Sequence, residues 1–271
     1  MKKLTSILAL VLALILCLGL AACGTAAQPG NTEAPAASDL DYVKANGKLI
    51  IGITDFAPMD YQDETGAWVG FDADMAAAFA ESLGVEPVFQ VIDWDNKIME
   101  LNGKTIDCVW NGMTLTDEVQ AGMECSKAYC NNAQVVIVPA EQAADYQTAD
   151  SVAGLHFAVE AGSAGKSVAE ENGYVYTEVI DQATALLEVH SGTADAAIID
   201  ALMAGAMVGE GTDYADLTYT VGLNSEEYGV GFRKGSDLAA ALNGFFQSAY
   251  ADGSLQACAE LYGIEAALIA Q

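Results

Sequence analysis

Two stretches of this sequence, IDCVWN at residues 106–111 and ADAAIID at residues 194–200, share one pattern. Each follows a helical segment and a glycine, runs through apolar residues and ends on a polar side chain, Asn111 or Asp200. Apolar runs of this length are typical of buried strands, and strands that alternate with helices predict a largely parallel sheet. The repeat therefore predicts an α/β protein made of two similar halves.

The alternation extends outward from both stretches. Apolar patterns predict strands at residues 48–53, 86–92, 106–110, 155–160, 174–180 and 194–199. Helices are predicted at residues 72–83, after Trp94, from Ser163 to Gly173 and from Asp181 to about Gly192. After Ser236 the chain is predicted to be helical and to pack on the first half, with inward-facing residues Leu238, Leu242, Phe245 and Phe246.

Two further extended runs, at residues 132–139 and 227–233, flank the second half. We expect them to cross between the halves and to form a hinge. Ligands of open α/β sheets gather beyond the carboxyl ends of the strands, which is where the pattern places Asn111 and Asp200. These two side chains are therefore candidates for one shared cleft.

The N-terminus has the features of an export signal. Two lysines precede an apolar stretch at residues 7–20, whose 14 residues fall short of the about 20 that span a bilayer. The sequence LAAC that follows, ending at Cys23, resembles a bacterial lipoprotein signal. This resemblance implies that residues 1–22 are removed as a signal peptide and that Cys23 carries lipid such as palmitate; the alternative is an uncleaved anchor.

The amino-acid composition predicts a flexible segment after Cys23, and the net charge restricts the classes of ligand that the protein can bind. Residues 23–38 contain no aromatic residue, leucine, isoleucine or valine, so we expect a flexible tether there. The formal net charge is −28, and removal of residues 1–22 leaves eight basic against 38 acidic residues, or −30. Such a charge argues against nucleic-acid binding and favours cationic over anionic solutes. The alternative is an acidic coat that serves solubility alone.

Four cysteines remain beyond Cys23: Cys108, Cys125, Cys130 and Cys258. They lack the paired spacing of a zinc site, so we expect no metal and no cofactor. Apolar surroundings favour buried free thiols. A bridge between Cys125 and Cys130 is the alternative in an oxidising compartment.

Six segments, in their order and spacing, resemble the extracellular solute-binding proteins, family 3, which are receptors of ABC importers for polar amino acids. They are GFDADM (70–75), VIDWD (91–95), residues 106–116, EAGS (160–163), residues 194–200 and YGVGFRKG (228–235). The resemblance covers nearly everything from Leu40 to the C-terminus. It implies a two-lobe periplasmic-binding-protein-like fold of type II, with residues 39–134 and 229–271 in lobe 1 and residues 135–228 in lobe 2.

The resemblance also implies what the protein does. We expect a monomeric, non-enzymatic receptor, lipid-anchored outside the cytoplasm, that closes on an amino acid or cationic amine and delivers it to an ABC permease. One alternative is a sensor module that binds ligand without transport. Another is a periplasmic-type dehydratase on the same fold, although His156 and His190 are expected at the surface.

The family pattern assigns roles to particular residues. Phe56, which follows Asp55, and Trp94 match two aromatic walls around the solute; the alternative is that both rings are only core. The resemblance places Asn111, Gly112 and Thr114 at the head group of an amino acid, and the alternative is an ordinary strand-to-helix turn.

A second set of matched positions lies in the other half. Asp200 matches the acid that receives the α-ammonium group, and the alternative is a helix cap. Ser163 and Ala164 match the helix start that faces the ligand carboxylate. Together, the candidate ligand-binding residues are Asp55, Phe56, Trp94, Asn111, Gly112, Thr114, Ser163, Ala164 and Asp200.

Two positions depart from the family pattern. Val119 stands where the family usually has an arginine for the ligand carboxylate, and Ala164 stands where it commonly has a hydroxyl residue. Lys97 and Lys166 are the candidates to replace these groups. The departures predict a weaker hold on a carboxylate, or a ligand recognised mainly through its positive charge.

Overall fold

The computed structural model describes residues 38–271 of the chain. The predicted signal peptide at residues 1–22, the lipidation candidate Cys23 and the tether up to residue 37 lie outside these residues. Ser38, the last residue of the predicted tether, caps helix α1 (Asp39–Asn46), where its Oγ accepts a hydrogen bond from the N–H of Asp41 at 3.0 Å. A hydroxyl at this position satisfies an N–H group that the helix itself cannot pair.

Strands and helices alternate through the described residues, as the sequence predicted. The strands are β1 (Lys48–Ile53), β2 (Tyr61–Gln62), β3 (Trp68–Val69), β4 (Glu86–Val91), β5 (Cys108–Thr114), β6 (Glu124–Cys125), β7 (Cys130–Asn132), β8 (Gln134–Pro139), β9 (His156–Glu160), β10 (Val175–Val179), β11 (Ala196–Asp200), β12 (Leu217–Gly222) and β13 (Glu226–Phe232). The helices after α1 are α2 (Phe71–Leu83), α3 (Lys97–Asn102), α4 (Asp117–Gly122), α5 (Ala149–Val152), α6 (Ala164–Glu171), α7 (Gln182–His190), α8 (Ala201–Met207), α9 (Leu238–Asp252) and α10 (Ser254–Leu261), with short 3-10 turns at Trp94–Asn96, Ala140–Asp145 and Glu265–Ala267. Among residues 38–271, none of the helices combines the length and the apolarity that crossing a bilayer requires.

These elements build two main sheets. The first has the strand order β4-β1-β5-β13-β6, with β7 also paired to β13, and the second has the order β10-β9-β11-β8-β12. Strand β1 runs parallel to β4 and β5, and β9 runs parallel to β10 and β11, because helices between these strands return the chain to the start of the sheet. Strands β8, β12 and β13 run antiparallel to their neighbours.

The chain passes between the two sheets twice, as predicted. Strand β7 of the first sheet leads through Ala133 to β8 of the second, and β12 of the second sheet leads to β13 of the first. The main-chain N–H of Gln134 donates to Oδ1 of Asn224 at 2.6 Å, and Nδ2 of Asn224 donates to Oε2 of Glu226 at 2.8 Å. The first bond holds the two connections side by side at the junction of the sheets, and the second orders the connection between β12 and β13.

The predicted boundaries of strand β5 are wrong. The strand spans Cys108–Thr114 rather than residues 106–110, because pairing with β13 carries it on until Thr114 lies opposite Tyr228. Asn111 and Gly112 therefore lie within a strand of the first sheet, between β1 and β13. The alternative of a turn from strand to helix at these residues is excluded.

Strand β11 also ends later than predicted. It spans Ala196–Asp200 rather than residues 194–199, so that Asp200 is its last residue and the first residue before α8. The side chain of Asp200 makes no capping hydrogen bond to that helix. A plain helix cap is therefore not its role.

The C-terminal helices pack on the first sheet, as predicted. Phe246 of α9 is fully buried, with its ring centre 5.6 Å from that of Trp110 and 5.5 Å from that of Tyr129. Phe245, which we also predicted to face inward, is partly exposed and contacts Phe79 at 5.5 Å. Neighbouring residues of a helix point about 100° apart, so only one of the two rings reaches the centre of the core.

The single arginine of the chain has a structural role. Nε of Arg233 donates to Oδ2 of Asp39 at 2.9 Å, and Nη2 donates to Oδ1 of Asp107 at 3.0 Å. Nη1 donates to the main-chain carbonyl of Ile106 at 2.8 Å. A buried guanidinium needs such partners, and they join α1 to the segment before β5. Arg233 is therefore engaged far from any role as a ligand clamp.

The four cysteines of the described residues are free thiols: Cys108, Cys125, Cys130 and Cys258. Cys125 and Cys130 lie in different strands, β6 and β7, and the bridge considered between them is not formed. Burial raises the pKa of the Cys130 thiol to about 12, with a further contribution from the charge of Asp72. This thiol is therefore protonated and unreactive at neutral pH.

The packing of α9 predicts unequal effects for its two phenylalanines. Phe246→Ala removes a fully buried ring and should lower the free energy of unfolding by about 3–5 kcal/mol. Phe245→Ala removes a partly exposed ring and should cost less than half as much. Denaturant unfolding followed by circular dichroism measures both values, and equal losses would contradict the assignment of Phe246 to the core.

Candidate functional site

One cavity lies where the carboxyl ends of the two sheets meet, and it has a volume of about 40 Å³. Eight of the nine candidate ligand-binding residues line it: Phe56, Trp94, Asn111, Gly112, Thr114, Ser163, Ala164 and Asp200. The ninth, Asp55, is exposed and is not part of the lining. Residues far apart in sequence thus converge because strands β5, β9 and β11 all end at this junction.

Further residues line the same cavity without having been candidates for ligand contact. They are Thr54, Lys97, Met113, Thr116, Glu118, Val119, Glu160, Gly162, Ser167 and Gln182. In the sequence, Val119 is the residue that stands in place of the usual arginine, and Lys97 is a candidate to replace the missing carboxylate-binding groups. Glu160 was missed, although it ends a predicted strand in the segment EAGS, which is the signal that located Asn111 and Asp200.

Asn111 is fully engaged by the protein. Its Oδ1 accepts hydrogen bonds from the N–H and the hydroxyl of Thr54 at 2.9 Å and 2.7 Å. Its Nδ2 donates to the main-chain carbonyl of Thr54 at 3.0 Å and to Oδ2 of Asp60 at 2.8 Å. The amide therefore joins β5 to the end of β1 and shapes the cavity wall.

The polar groups of Gly112 and Thr114 are also paired within the protein. The N–H of Gly112 donates to Oδ2 of Asp72 at 2.6 Å, and the hydroxyl of Thr114 donates to Oε1 of Glu226 at 2.9 Å. Gly112 has a φ of +54°, and a Cβ atom there would lie 2.3 Å from Cε1 of Phe56. Only glycine allows the Phe56 ring to approach β5 so closely.

Two buried carboxyl groups lie behind this wall. Asp60 and Asp72 are both completely buried, and one oxygen of each has no hydrogen-bond partner among the described residues. Burial is the main cause that raises the pKa of each above its ordinary value, and the charge of Asp72 raises that of Asp60 further. Protons therefore stay on this pair at a pH at which free aspartates are ionised.

The two aromatic candidates face the cavity and are also part of the core. Phe56 is 3% exposed and packs edge-on against Tyr228 with ring centres 6.3 Å apart. Trp94 is 7% exposed, and Nζ of Lys97 lies 4.9 Å from the centre of its ring. A cation already occupies one face of Trp94, which leaves Phe56 as the ring without such a neighbour in the described structure.

Asp200 sits at the junction of the sheets and accepts hydrogen bonds from several elements. Oδ1 accepts from Asn132, from Nε2 of Gln134 at 3.0 Å and from the hydroxyl of Tyr228 at 2.7 Å. Oδ2 accepts from Gln182. Burial raises the pKa of Asp200 to about 8, the charge of Glu226 adds to this, and the donors from Tyr228 and Gln182 oppose it.

Glu160 is a second buried acid in the same lining. It is 2% exposed, and its Oε1 has no hydrogen-bond partner among residues 38–271. Burial raises its pKa well above the ordinary value, followed by the charges of Asp200 and Asp181, while Gln182 and Lys97 act in the opposite direction. The cavity therefore contains two carboxyl groups whose charges repel each other.

Lys97 is the one basic residue of the lining. Its Nζ donates to the main-chain carbonyls of Gly162 at 2.7 Å and of Trp94 at 3.2 Å. Burial lowers its pKa, and the charges of Glu160, Glu118 and Asp95 oppose this effect. Lys166, the other candidate, lies outside the lining and pairs with Glu178 at 3.1 Å.

The start of helix α6 forms part of the wall from the second half. Oγ of Ser163 accepts a hydrogen bond from the N–H of Lys166 at 3.1 Å and caps the helix, as predicted. Ala164 follows as the first helical residue and offers no polar side chain. This end of the helix can offer a ligand main-chain N–H groups and the O–H donor of Ser163, which the cap does not use.

The described residues bring together no set of histidine, cysteine and acidic side chains that could hold a metal ion. The two histidines lie outside the cavity lining. His156 pairs with Thr177 at 2.9 Å, and His190, which is exposed, pairs with Asp216 at 2.9 Å. The functional groups that line the cavity are therefore carboxyl groups, one ammonium group, hydroxyl and amide groups and two aromatic rings.

A cavity between two α/β sheets that are linked by crossing strands is the arrangement of a known family. The sequence profile of the bacterial extracellular solute-binding proteins, family 3, matches residues 49–265. This chain belongs to that family.

Individual relatives agree with the assignment. The L-cystine-binding protein TcyJ of Escherichia coli strain K12 is 29% identical over 225 residues, which cover 82% of this chain and 84% of the relative. A substrate-binding protein of an ABC uptake transporter from Streptococcus pneumoniae, solved with bound histidine, has a TM-score of 0.78 and 31% identity, covering 85% of this chain and 98% of that chain. The family 3 protein described here thus has the two-lobe fold and is a solute-binding protein, as the sequence resemblance implied.

One relative is an enzyme. Cyclohexadienyl dehydratase of Pseudomonas aeruginosa is 28% identical over 172 residues, which cover 62% of this chain and 64% of the enzyme. Most relatives of this family 3 protein are binding proteins. Similarity to these relatives therefore does not by itself exclude an enzyme.

The buried acids predict that stability falls as pH rises. Their pKa values in the folded protein exceed the unfolded value of about 4, so between about pH 4 and 8 the folded state retains protons that the unfolded state releases. The free energy of unfolding of the ligand-free protein should therefore decrease across this range, by up to about 1.4 kcal/mol per pH unit for each such group.

Asp72→Asn should make this decrease shallower, because the amide has no proton to lose. Denaturant titrations at a series of pH values give the slope. Glu81→Gln, at an exposed position of the same helix, is the matched control and should keep the wild-type slope. A profile of Asp72→Asn parallel to the wild type would show that Asp72 does not retain a proton.

Proposed function

We propose that this protein captures a small amino acid-like or cationic amine solute and delivers it to an ABC permease. The observation that carries the proposal is the convergence of Phe56, Trp94, Lys97, Glu160 and Asp200 on one cavity between the two sheets. Carboxylates and aromatic rings attract a cation, and a single ammonium group can pair with a carboxylate. These groups together suit a solute with a net positive charge or a zwitterion.

Recognition of an amino acid carboxylate would fall to Lys97. Val119 lines the cavity in place of the usual arginine, and Arg233 is engaged elsewhere. Two of the three N–H groups of Lys97 donate to main-chain carbonyls, which leaves the third for a ligand. We propose that Lys97, supported by the N–H groups at the start of α6, holds the carboxylate.

The remaining candidates fill defined places in this proposal. Phe56 and Trp94 pack against the carbon skeleton of the solute, and Asp200 faces its ammonium group. Asn111, Gly112 and Thr114 keep the wall of the first lobe in place through their bonds to Thr54, Asp72 and Glu226. Ser163 and Ala164 close the cavity from the second lobe.

Binding would be coupled to closure of the lobes, for which we propose the limits 39–134 with 229–271, and 135–228. The closed arrangement needs a close approach at Gly162, whose carbonyl accepts from Lys97. A Cβ atom on Gly162 would lie 2.6 Å from Cα of Asp95. Solute binding shifts the balance towards the closed form because the solute contacts both lobes only there.

Membrane attachment completes the proposal. Residues 1–22 serve as a lipoprotein signal peptide, Cys23 carries lipid, palmitate included, and residues 23–38 tether a monomer to the outer face of the membrane. The known partner class of the family, an ABC permease, lies in that membrane. A tethered receptor near its permease raises the local concentration of captured solute.

We propose that binding occurs without chemistry. A dehydratase needs a positioned general acid or base, and carboxyl groups such as those of Glu160 and Asp200 in the lining can have that role. The proposal therefore rests on the relatives, most of which are binding proteins. Recovery of the solute unchanged after prolonged incubation distinguishes a receptor from an enzyme. A sensor module, the other alternative, would bind equally well but would act without the permease.

A ligand screen tests the proposal directly. L-Arginine, L-ornithine, L-histidine, L-glutamine, L-cystine and putrescine should include at least one compound that raises the melting temperature, since a ligand at about 100 times its Kd stabilises by about 2.7 kcal/mol. Differential scanning fluorimetry measures the shift, and succinate, an anion without a nitrogen, is the negative control. A shift with succinate alone would contradict the proposed solute class.

Gly162→Ala should weaken whichever solute binds by about tenfold or more, because the new Cβ atom collides with the main chain at Asp95 when the lobes close. Gly173→Ala is a matched control: its φ of +67° equals that of Gly162 within one degree, and nothing lies within 4 Å of its Cβ position. Both variants lose some stability through positive φ. Calorimetric titration should reveal an affinity loss only for Gly162→Ala, and equal losses would contradict the role of this contact in closure.

A further inference from the structure

One acid in the cavity has an oxygen that no protein group satisfies. Glu160 ends β9 with 2% exposure, and its Oε1 has no hydrogen-bond partner among the described residues. Leaving a buried carboxylate oxygen unpaired is costly, and such atoms in native proteins are normally partnered by protein, water or ligand. Because Glu160 lines the cavity, a bound solute can supply the missing donor.

Asp200 differs from Glu160 in this respect. Four side chains already donate to its carboxylate, three of them to Oδ1. A carboxylate has about four lone-pair positions. Side chains of the protein therefore use most of the lone-pair positions of the Asp200 carboxylate. Both lone-pair positions of Glu160 Oε1 remain open.

The lysine of the cavity does not neutralise Glu160 through a direct bond. Nζ of Lys97 donates to the carbonyls of Trp94 and Gly162, and among residues 38–271 no ion pair joins it to Glu160. Three acids line the cavity, Glu118, Glu160 and Asp200, against this single basic residue. The charge of Lys97 acts on Glu160 only at a distance, and its N–H groups leave Oε1 of Glu160 without a donor.

Building on the proposed function, we propose that Glu160 is the principal acceptor for a protonated nitrogen of the solute, with Asp200 as a second acidic side chain beside it. The solute class is then one that carries an ammonium or guanidinium group. Oε1 of Glu160 accepts a charge-assisted N–H hydrogen bond, which is stronger than a neutral one, and a guanidinium can in addition span both oxygens of a carboxylate. This assigns a specificity-determining role to a residue that lies in a family segment but was not a ligand-binding candidate in the sequence.

The substitution Glu160→Gln tests this assignment, because it removes the charge and keeps the size of the side chain. The probe is whichever of L-arginine, L-ornithine, L-histidine, L-glutamine, L-cystine and putrescine binds the wild type most tightly. We expect isothermal titration calorimetry to show a Kd about 30-fold or more above the wild type, as for truncation of a buried charge pair. The melting temperature of the ligand-free variant should be equal or higher, since a buried acid has been removed.

Glu141→Gln is the matched control. It removes one negative charge from an exposed position in the same half of the protein and should leave the Kd within about twofold. An equal loss of affinity in both variants would assign the effect to overall charge and overturn the proposal. A Glu160→Gln variant that binds the probe as tightly as the wild type would overturn it as well.

A second variant covers the case in which Glu160→Gln does not fold. Glu160→Asp keeps the charge and retracts the carboxylate by one methylene group, so its affinity should lie below that of the wild type; equal affinity overturns the proposal. Failure of the proposed function has a different signature. There, none of the six probes binds the wild type at all, and the assignment of Glu160 is overturned together with it.

Discussion

The burial of the Asp200 carboxylate at the junction of the sheets is the constraint on which the site depends. An acid with 4% exposure must be hydrogen-bonded, and its donors come from β7, β8, β13 and α7. The two chain crossings and the second lobe are thus fixed around a single group. Because Asp200 also lines the cavity, this carboxylate connects the two crossings to the site.

A second buried layer fixes the opposite wall. Asp60 accepts a hydrogen bond from the side chain of Asn111, and Asp72 accepts one from the N–H of Gly112. These polar groups of β5 therefore point into the protein. The side chain of Asn111 and the N–H group of Gly112 are therefore already paired within the protein. Lys97 of α3 and Glu160 of β9 have hydrogen-bonding capacity left, and both line the cavity.

Much of the fold could be predicted from periodicity alone. Strand β1 coincides with its predicted range, and α2 begins one residue before its prediction and ends at Gly84, as expected from a glycine with positive φ. The site was harder to predict, because the same pattern is compatible with several partners. Asn111 was found by its place at the end of an apolar run, yet its bonds to Thr54 and Asp60 depend on residues 50 or more positions away.

The sequence by itself determined the two α/β halves, the crossings between them and the family, because apolar spacing and strand–helix order are local properties of the chain. Only the tertiary structure decided which acid retains an open oxygen, which lysine enters the cavity and which of Phe245 and Phe246 is core. The physical reason is that hydrogen-bond partners and burial arise from contacts between distant segments. The residue type determines which hydrogen bonds a side chain can donate or accept. The fold determines which of these hydrogen bonds are already formed within the protein.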